Sequence, residues 1–342
     1  MKMKKLGRTG LMVTENSFGA LPIQRIDVQS AVELLHMAYD AGINYYDTAR
    51  AYTDSEEKLG KAFHDRRSSI VISTKSMGQT GKQVLEDLDK SLQMLQTDYV
   101  DILQLHNIKA LPDAEDPEGI HQALETARKA GKCRFIGVTS HRRDVAEAAA
   151  KTGLYDTVQF PVSHVSPQED VDLVKLCGDL DVGFIAMKGL SGGLLTNARA
   201  AYAFFQQLPN AVPIWGVQKK EELQDFLDCA SQGVTMTPEL QAEIEKDRKE
   251  LAGNFCRGCG YCMPCREGIQ INTIARLPQL LRRSPWQGYM TEEWAAEMAK
   301  VENCRRCGAC ESKCPYGLKC TQLLRESLED WKQFRKEKGY AD

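Results

Sequence analysis

The sequence predicts two domains in series: a (β/α)8 barrel over residues 1–250, then a small, mainly helical and loop-built, cysteine-rich domain over residues 251–342. Three observations predict this. Short apolar, β-rich segments alternate with amphipathic stretches over about 230 residues, the usual size of a closed (β/α)8, or TIM, barrel. No G-x-G-x-x-G follows the first strand, which argues against a doubly wound open sheet. Of the 12 cysteines, Cys133, Cys177 and Cys229 are scattered, whereas the rest lie between Cys256 and Cys320, so composition shifts near residue 250.

In chain order, Lys4–Leu6 and Leu11–Val13 flank Gly7-Arg8-Thr9-Gly10 and read as a short hairpin. The barrel strands are expected at Ser17–Ala20, Ile43–Asp47, Ile70–Lys75, Val100–His106, Phe135–Thr139, Thr157–Pro161, Val182–Met187 and Val212–Gly216. Between them, spacings such as Val84, Leu88, Leu92 and Leu95 place one apolar stripe along a helix. Gly42, Gly131 and Gly153 sit where helices hand over to strands, the usual place of a C′ glycine. Past residue 290, Trp294, Met298 and Val301 share one helical face, as do Leu324, Leu328 and Trp331.

The 342 residues carry a net charge of −3, with 42% hydrophobic and 27% charged residues, ordinary for a soluble globular chain. Nothing in this balance draws the protein to nucleic acid or anionic membrane. The basic start, MKMKKLGRTG, leads into no signal-peptide core, and no apolar run is long enough to span a bilayer. The expected compartment is cytoplasmic. There, clustered cysteines read as metal-binding or catalytic rather than as disulfides.

Barrel chemistry resides at the C-terminal strand ends and in the loops that follow. Those ends present Asp47, Lys75 and His106, with Tyr52 in the loop beyond Asp47. Singly, each has an ordinary explanation: a helix cap, a packed loop aromatic, a satisfied core histidine. Together they form a catalytic group. A tyrosine hydroxyl ordinarily titrates near 10; a neighbouring ammonium favours the phenolate, and a carboxylate keeps the ammonium charged. A relay of Tyr52, Lys75 and Asp47 is therefore expected to lower the Tyr52 pKa and protonate an oxygen, with His106 orienting a substrate carbonyl.

Tyr46-Asp47-Thr48-Ala49-Arg50-Ala51-Tyr52 with Glu56 and Gly60, Ser73-Thr74-Lys75 and Leu105-His106 resemble the aldo-keto reductase signature. The resemblance implies a tetrad of Asp47, Tyr52, Lys75 and His106, with Tyr52 as proton donor. It also implies NADPH or NADH across the barrel mouth, the carboxamide near Thr139, Ser140 and Gln159. The family's stacking aromatic after the seventh strand is replaced by Met187, and its later Glu-Asn by Gln224-Asp225. Lys188-Gly189-Leu190-Ser191-Gly192-Gly193 reads either as a diphosphate cradle, with Lys188, Gly192 and Gly193 as contacts, or as a plain loop. Lys219 and Lys220 read either as partners of a 2′-phosphate or as solvated lysines.

The run Cys304-x2-Cys307-x2-Cys310-x3-Cys314-Pro315 has the spacing of bacterial two-cluster ferredoxins. The run Cys256-x2-Cys259-x2-Cys262-x2-Cys265 shortens the last gap and has Arg266 in place of proline. Because the fourth cysteine of each run ligates the other cluster, one [4Fe–4S] cluster takes Cys256, Cys259, Cys262 and Cys314; the other takes Cys304, Cys307, Cys310 and Cys265. Zinc is the alternative, but its ribbons pair C-x2-C knuckles across a longer spacer. Cys320 reads as a bystander. The chain is thus similar to the aldo-keto reductase subgroup with a C-terminal ferredoxin-like module.

Three functions follow. The first is an oxidoreductase reducing a small-molecule carbonyl with NAD(P)H and coupled to two [4Fe–4S] clusters. The second is a single-electron reductase fed through the clusters by a ferredoxin-type electron-transfer partner. The third is a non-catalytic electron carrier.

Overall fold

The computed structural model describes residues 1–251 and 255–340, which fall into two compact units. One comprises Met1–Gly189 and Asn197–Glu243; the other comprises Leu190–Thr196 and the chain from Ile244 onward.

The first unit opens with an antiparallel hairpin, β1 (Met3–Lys5) and β2 (Met12–Thr14). Eight parallel strands follow: β3 (Ser17–Gly19), β4 (Tyr45–Asp47), β5 (Val71–Ser76), β6 (Val100–Leu105), β7 (Cys133–Thr139), β8 (Thr157–Pro161), β9 (Gly183–Met187) and β10 (Ala211–Gly216). They pair in that order, and β10 returns to β3 to close the barrel. One helix follows each: α1 (Val28–Asp40), α2 (Ser55–Phe63), α3 (Gly81–Leu95), α4 (Ile120–Lys129), α5 (Arg143–Thr152), α6 (Gln168–Asp179), α7 (Ala198–Gln206) and α8 (Lys220–Gln232); the division between the units falls within α9 (Pro238–Glu250). All eight expected strands are present, shifted at their ends by two residues at most.

Local chemistry explains the helices. Asp27, Thr80 and Asn197 cap α1, α3 and α7 by accepting from the amides of Ser30, Gln83 and Ala200. On α3 the stripe of Val84, Leu88, Leu92 and Leu95 is buried, as its spacing required. Gly42, Gly131 and Gly153 take φ of +95°, +73° and +73° at the handovers, a region that costs a side chain strain.

The hairpin decides which barrel mouth is open. Leu6, Leu11 and Val13 pack with Val71 and Val212, which begin or nearly begin their strands, and with Tyr45, Ile102 and Ile185. Apolar residues thus fill the N-terminal end, and the polar strand ends gather at the other.

The second unit is built from short helices: α10 (Ile271–Ile274), α11 (Leu277–Arg283), α12 (Glu292–Ala299), α13 (Ala309–Ser312) and a long α14 (Cys320–Glu337). Leu324, Leu328 and Trp331 are the buried face of α14, which packs on α10 and α11. Met298 and Val301 are buried, while Trp294 is half-buried and stacks edge-on against Tyr289 at 5.0 Å. Among the described residues, no helix is long and apolar enough to cross a membrane.

Candidate active site and cysteine centre

Asp47 ends β4 and Lys75 lies near the end of β5, adjacent strands whose register sets Asp47 opposite Ser73. Both are almost completely buried, at 2% and 1% exposure. Lys75 Nζ donates to Asp47 Oδ1 at 2.6 Å and to the Thr48 carbonyl at 2.5 Å. Asp47 also accepts from Ser73 Oγ at 2.6 Å and from the amides of Gln104 and Gln159, each at 3.4 Å. Gln104 in turn donates to Gln159 Oε1 at 2.9 Å. A buried ion pair is tolerable only when such hydrogen bonds satisfy its remaining valences.

Tyr52 and His106 stand over this pair. Their rings meet edge-on, 5.6 Å between centroids, and Lys75 Nζ lies 5.3 Å from the Tyr52 ring centre. The His106 amide donates to the Ser76 carbonyl at 2.8 Å, tying the loop after β6 to the end of β5. Its Nδ1 is buried and has no hydrogen-bond partner.

The electrostatics correct one expectation. Tyr52 is pushed up from its ordinary value, not down: burial of its phenolic end dominates, and the Asp47 carboxylate adds to it. Burial outweighs what the Lys75 ammonium, paired with Asp47 at 2.6 Å, offers the phenolate. Tyr52 is therefore a neutral phenol, a proton donor. Burial lowers Lys75, opposed by Asp47. His106 is held down at about 3 by burial and then by Lys75, so its imidazole is neutral.

Thr139 and Gln159 are register partners on β7 and β8. Thr139 Oγ1 accepts from the Asn107 amide at 2.7 Å, and Ser140 Oγ donates to the Ile108 carbonyl at 2.9 Å. Met187 is half-buried at the end of β9, packed against the barrel-interior cluster. Lys188 follows, half-buried with φ +57°. Gly192 and Gly193 belong to the second unit, where the amides of Gly193, Leu194 and Leu195 all donate to the Leu190 carbonyl at 3.0–3.1 Å. Lys219 is exposed and caps α8 through its amide to Glu222, while Lys220 pairs with Glu33 at 2.8 Å.

In the second unit, charge neighbours show how the cysteine runs meet. Burial raises the Cys256 thiol, and Cys259 and Cys314 add to it. Burial pushes Cys262 up to about 12, with Cys256 and Cys259 contributing. The fourth cysteine of the later run thus neighbours the earlier one. The Gly258 amide donates to Cys256 Sγ at 3.4 Å. Among the described residues, no three His, Cys, Asp or Glu side chains close round a single ion. Cys265, Cys304 and Cys314 are half-buried and Cys307 is exposed.

Sequence reasoning missed one residue. Gln104 links Asp47 to Gln159; the only signal was an amide inside the apolar strand Val100–Leu105. Cys320 is buried, and its thiol donates to the Cys310 carbonyl at 3.9 Å.

The aldo/keto reductase family profile matches residues 15–238, the whole barrel from β3 to β10. The chain belongs to the aldo/keto reductase family. It is an oxidoreductase of that family with a second module, since a 4Fe-4S dicluster domain matches residues 255–319. Among its relatives, an L-galactose dehydrogenase from Arabidopsis thaliana is 32% identical over 74% of this chain and 82% of its own. An uncharacterised oxidoreductase, YqkF, from Bacillus subtilis is 30% identical over 82% and 94%. A probable voltage-gated potassium channel subunit beta from rice is 38% identical over 58% and 67%. In fold, an aldo-keto reductase from Bacillus halodurans in its holo form superposes with a TM-score of 0.63 at 22% identity, covering 72% of this chain and 96% of that one.

Proposed function

We propose that the barrel mouth reduces the carbonyl of a small molecule, with NAD(P)H as hydride donor. The observation that carries this is the buried Lys75–Asp47 pair beneath Tyr52 and His106. His106, neutral, hydrogen-bonds the substrate oxygen and orients it. Tyr52 delivers its proton to that oxygen as negative charge develops there, and the resulting phenolate is met by the Lys75 ammonium. Asp47 positions Lys75, while Ser73, Gln104 and Gln159 position Asp47. The carboxamide end of the cofactor is assigned to Thr139, Ser140 and Gln159, polar residues at or near the mouth on the neighbouring strands β7 and β8. Lys188 and Lys219 are the cations assigned to its phosphates. When bound, NAD(P)H supplies the hydride to carbon. The two cysteine runs hold two [4Fe–4S] clusters, one on Cys256, Cys259, Cys262 and Cys314 and one on Cys304, Cys307, Cys310 and Cys265.

A second reading has its own support. The amides of Gly193, Leu194 and Leu195 are already taken by the Leu190 carbonyl, and Met187 replaces the expected aromatic. In that reading two single electrons from a ferredoxin-type donor and two protons replace the hydride and one proton, and Tyr52 still serves the oxygen.

Calorimetry of NADPH and NADH on anaerobically purified protein separates the two. Binding, with Tyr52→Phe losing about 10²–10⁴-fold in NAD(P)H-driven carbonyl turnover, supports hydride transfer. Absence of binding with the clusters intact sinks it. Cys259→Ser then spares turnover under the first reading and abolishes it under the second.

A further inference from the structure

Arg276 lies between α10 and α11, outside both cysteine runs and outside every motif of the sequence, yet only 8% of it is exposed. Its Nη2 donates to the carbonyls of Ser191 at 3.2 Å and Gly192 at 3.0 Å. Its Nη1 lies against Gly258, inside the Cys256–Cys259 knuckle. A β-carbon at position 258 would come within 2.6 Å of it, so a glycine there makes room for the guanidinium. Nε is buried with no hydrogen-bond partner. Among the described residues no carboxylate pairs with this cation; the charge-bearing groups beside it are Cys256 and Tyr289.

An unpaired buried guanidinium is costly, and proteins keep one where an anion offsets it. The group the cysteine runs imply is such an anion, because four thiolates outweigh the charge of the iron–sulfur core. An orphaned N–H donor beside Cys256 and an amide on its sulfur fit that group. Net charge and nearby hydrogen-bond donors are what set a cluster's potential.

We propose that Arg276 is a positioning residue shared between the first cluster and segment 190–196. Its guanidinium offsets the negative charge gathered at Cys256, Cys259, Cys262 and Cys314, raising that cluster's reduction potential, while Nη2 anchors the Ser191 and Gly192 carbonyls. This rests on the cluster reading of the cysteine runs. The electron comes from a low-potential one-electron donor of ferredoxin type, and no bond forms or breaks in the transfer. In sequence, segment 190–196 links β9 to α7.

The test uses the full-length holoprotein. Potentiometric titration with dithionite, followed by electron paramagnetic resonance, is run on the wild type, Arg276→Gln and Arg276→Lys. Arg276→Gln is expected to shift the oxidised-to-reduced ratio of one cluster, not both, at least tenfold toward oxidised at fixed potential, a midpoint lower by about 59 mV. Arg276→Lys keeps the charge and shifts it less. Hydrogen exchange at Gly193, Leu194 and Leu195 is expected to quicken at least tenfold in both variants, because an ammonium lacks the guanidinium fork. If either the potential or the exchange stays within twofold of wild type in Arg276→Gln, the shared role is overturned. A wild type without any reducible cluster signal overturns the cluster reading itself, and the proposal with it.

Discussion

The barrel and the cysteine-rich unit are built on opposite principles. At the barrel mouth, Asp47 and Lys75 are charges whose every neighbour is protein: backbone carbonyl, hydroxyl and amide complete the pair without a ligand. In the cysteine-rich unit, helices such as α10 and α13 run for only four residues. Isolated helices that short do not hold themselves in water. The barrel's pair is held by its own strands, whereas the short helices of the cysteine-rich unit must draw their order from contacts outside themselves.

Stripping the clusters is the strongest way to break this contrast. Anaerobic chelation should unfold most of the second unit while the barrel keeps its protection, because binding energy in such small modules is folding energy. Hydrogen exchange should show α10 to α13 losing protection and β4 to β8 keeping theirs. Equal loss in both units would show that the barrel, too, depends on the clusters. Next comes Lys75→Met. It leaves Asp47 charged and buried without a counter-ion, which should cost about 3–5 kcal/mol in urea unfolding. Tyr52→Phe should leave stability within about 0.5 kcal/mol, since among the described residues its hydroxyl makes no hydrogen bond. Equal destabilisation by the two would mean that the pair is not what organises the mouth.

The same contrast explains what the sequence made legible. The barrel announced itself through period: apolar strands, the stripe on α3 and the handover glycines all follow from one repeated unit. That Asp47, Lys75 and His106 lie at one rim was legible because each stands at or beside the C-terminal end of a strand. Pairing was not. Periodicity says which residues face inward, not that Gln104 bridges Asp47 and Gln159, nor that burial outweighs the field Lys75 was expected to place on Tyr52. In the second unit, spacing picked out the two cysteine runs, but no pattern could mark Arg276, whose contacts are distant in sequence. Nor could it show that Leu190–Thr196, continuous with the barrel chain, packs with residues beyond Ile244.

A smaller effect sharpens the barrel half. His106 is held at about 3, below its ordinary value near 6.5. The unfolded chain takes up a proton below 6.5 that the folded protein refuses. Stability is thus full above 6.5 and falls as the pH drops toward 3, by roughly 1.4 kcal/mol per unit from this group. Urea midpoints between pH 7 and pH 5 should slope more steeply in the wild type than in His106→Asn. Parallel slopes would mean that the imidazole is solvated and free to charge.

The smallest effect tests where the preorganised region ends. Lys219 is exposed, and only its backbone is engaged, in the cap of α8. Lys220, beside it, is held by Glu33. If Lys219 selects a 2′-phosphate, Lys219→Ala should weaken NADPH binding by no more than a few-fold, the worth of an exposed charge at about 0.2–1 kcal/mol, and leave NADH unchanged. The loss should fade at high salt, because an exposed pair is screened within about 10 Å at 0.1 M. A loss shared equally by both nucleotides would instead assign Lys219 to the common diphosphate. No change in either would leave it a capping residue, with cofactor choice made elsewhere on the rim.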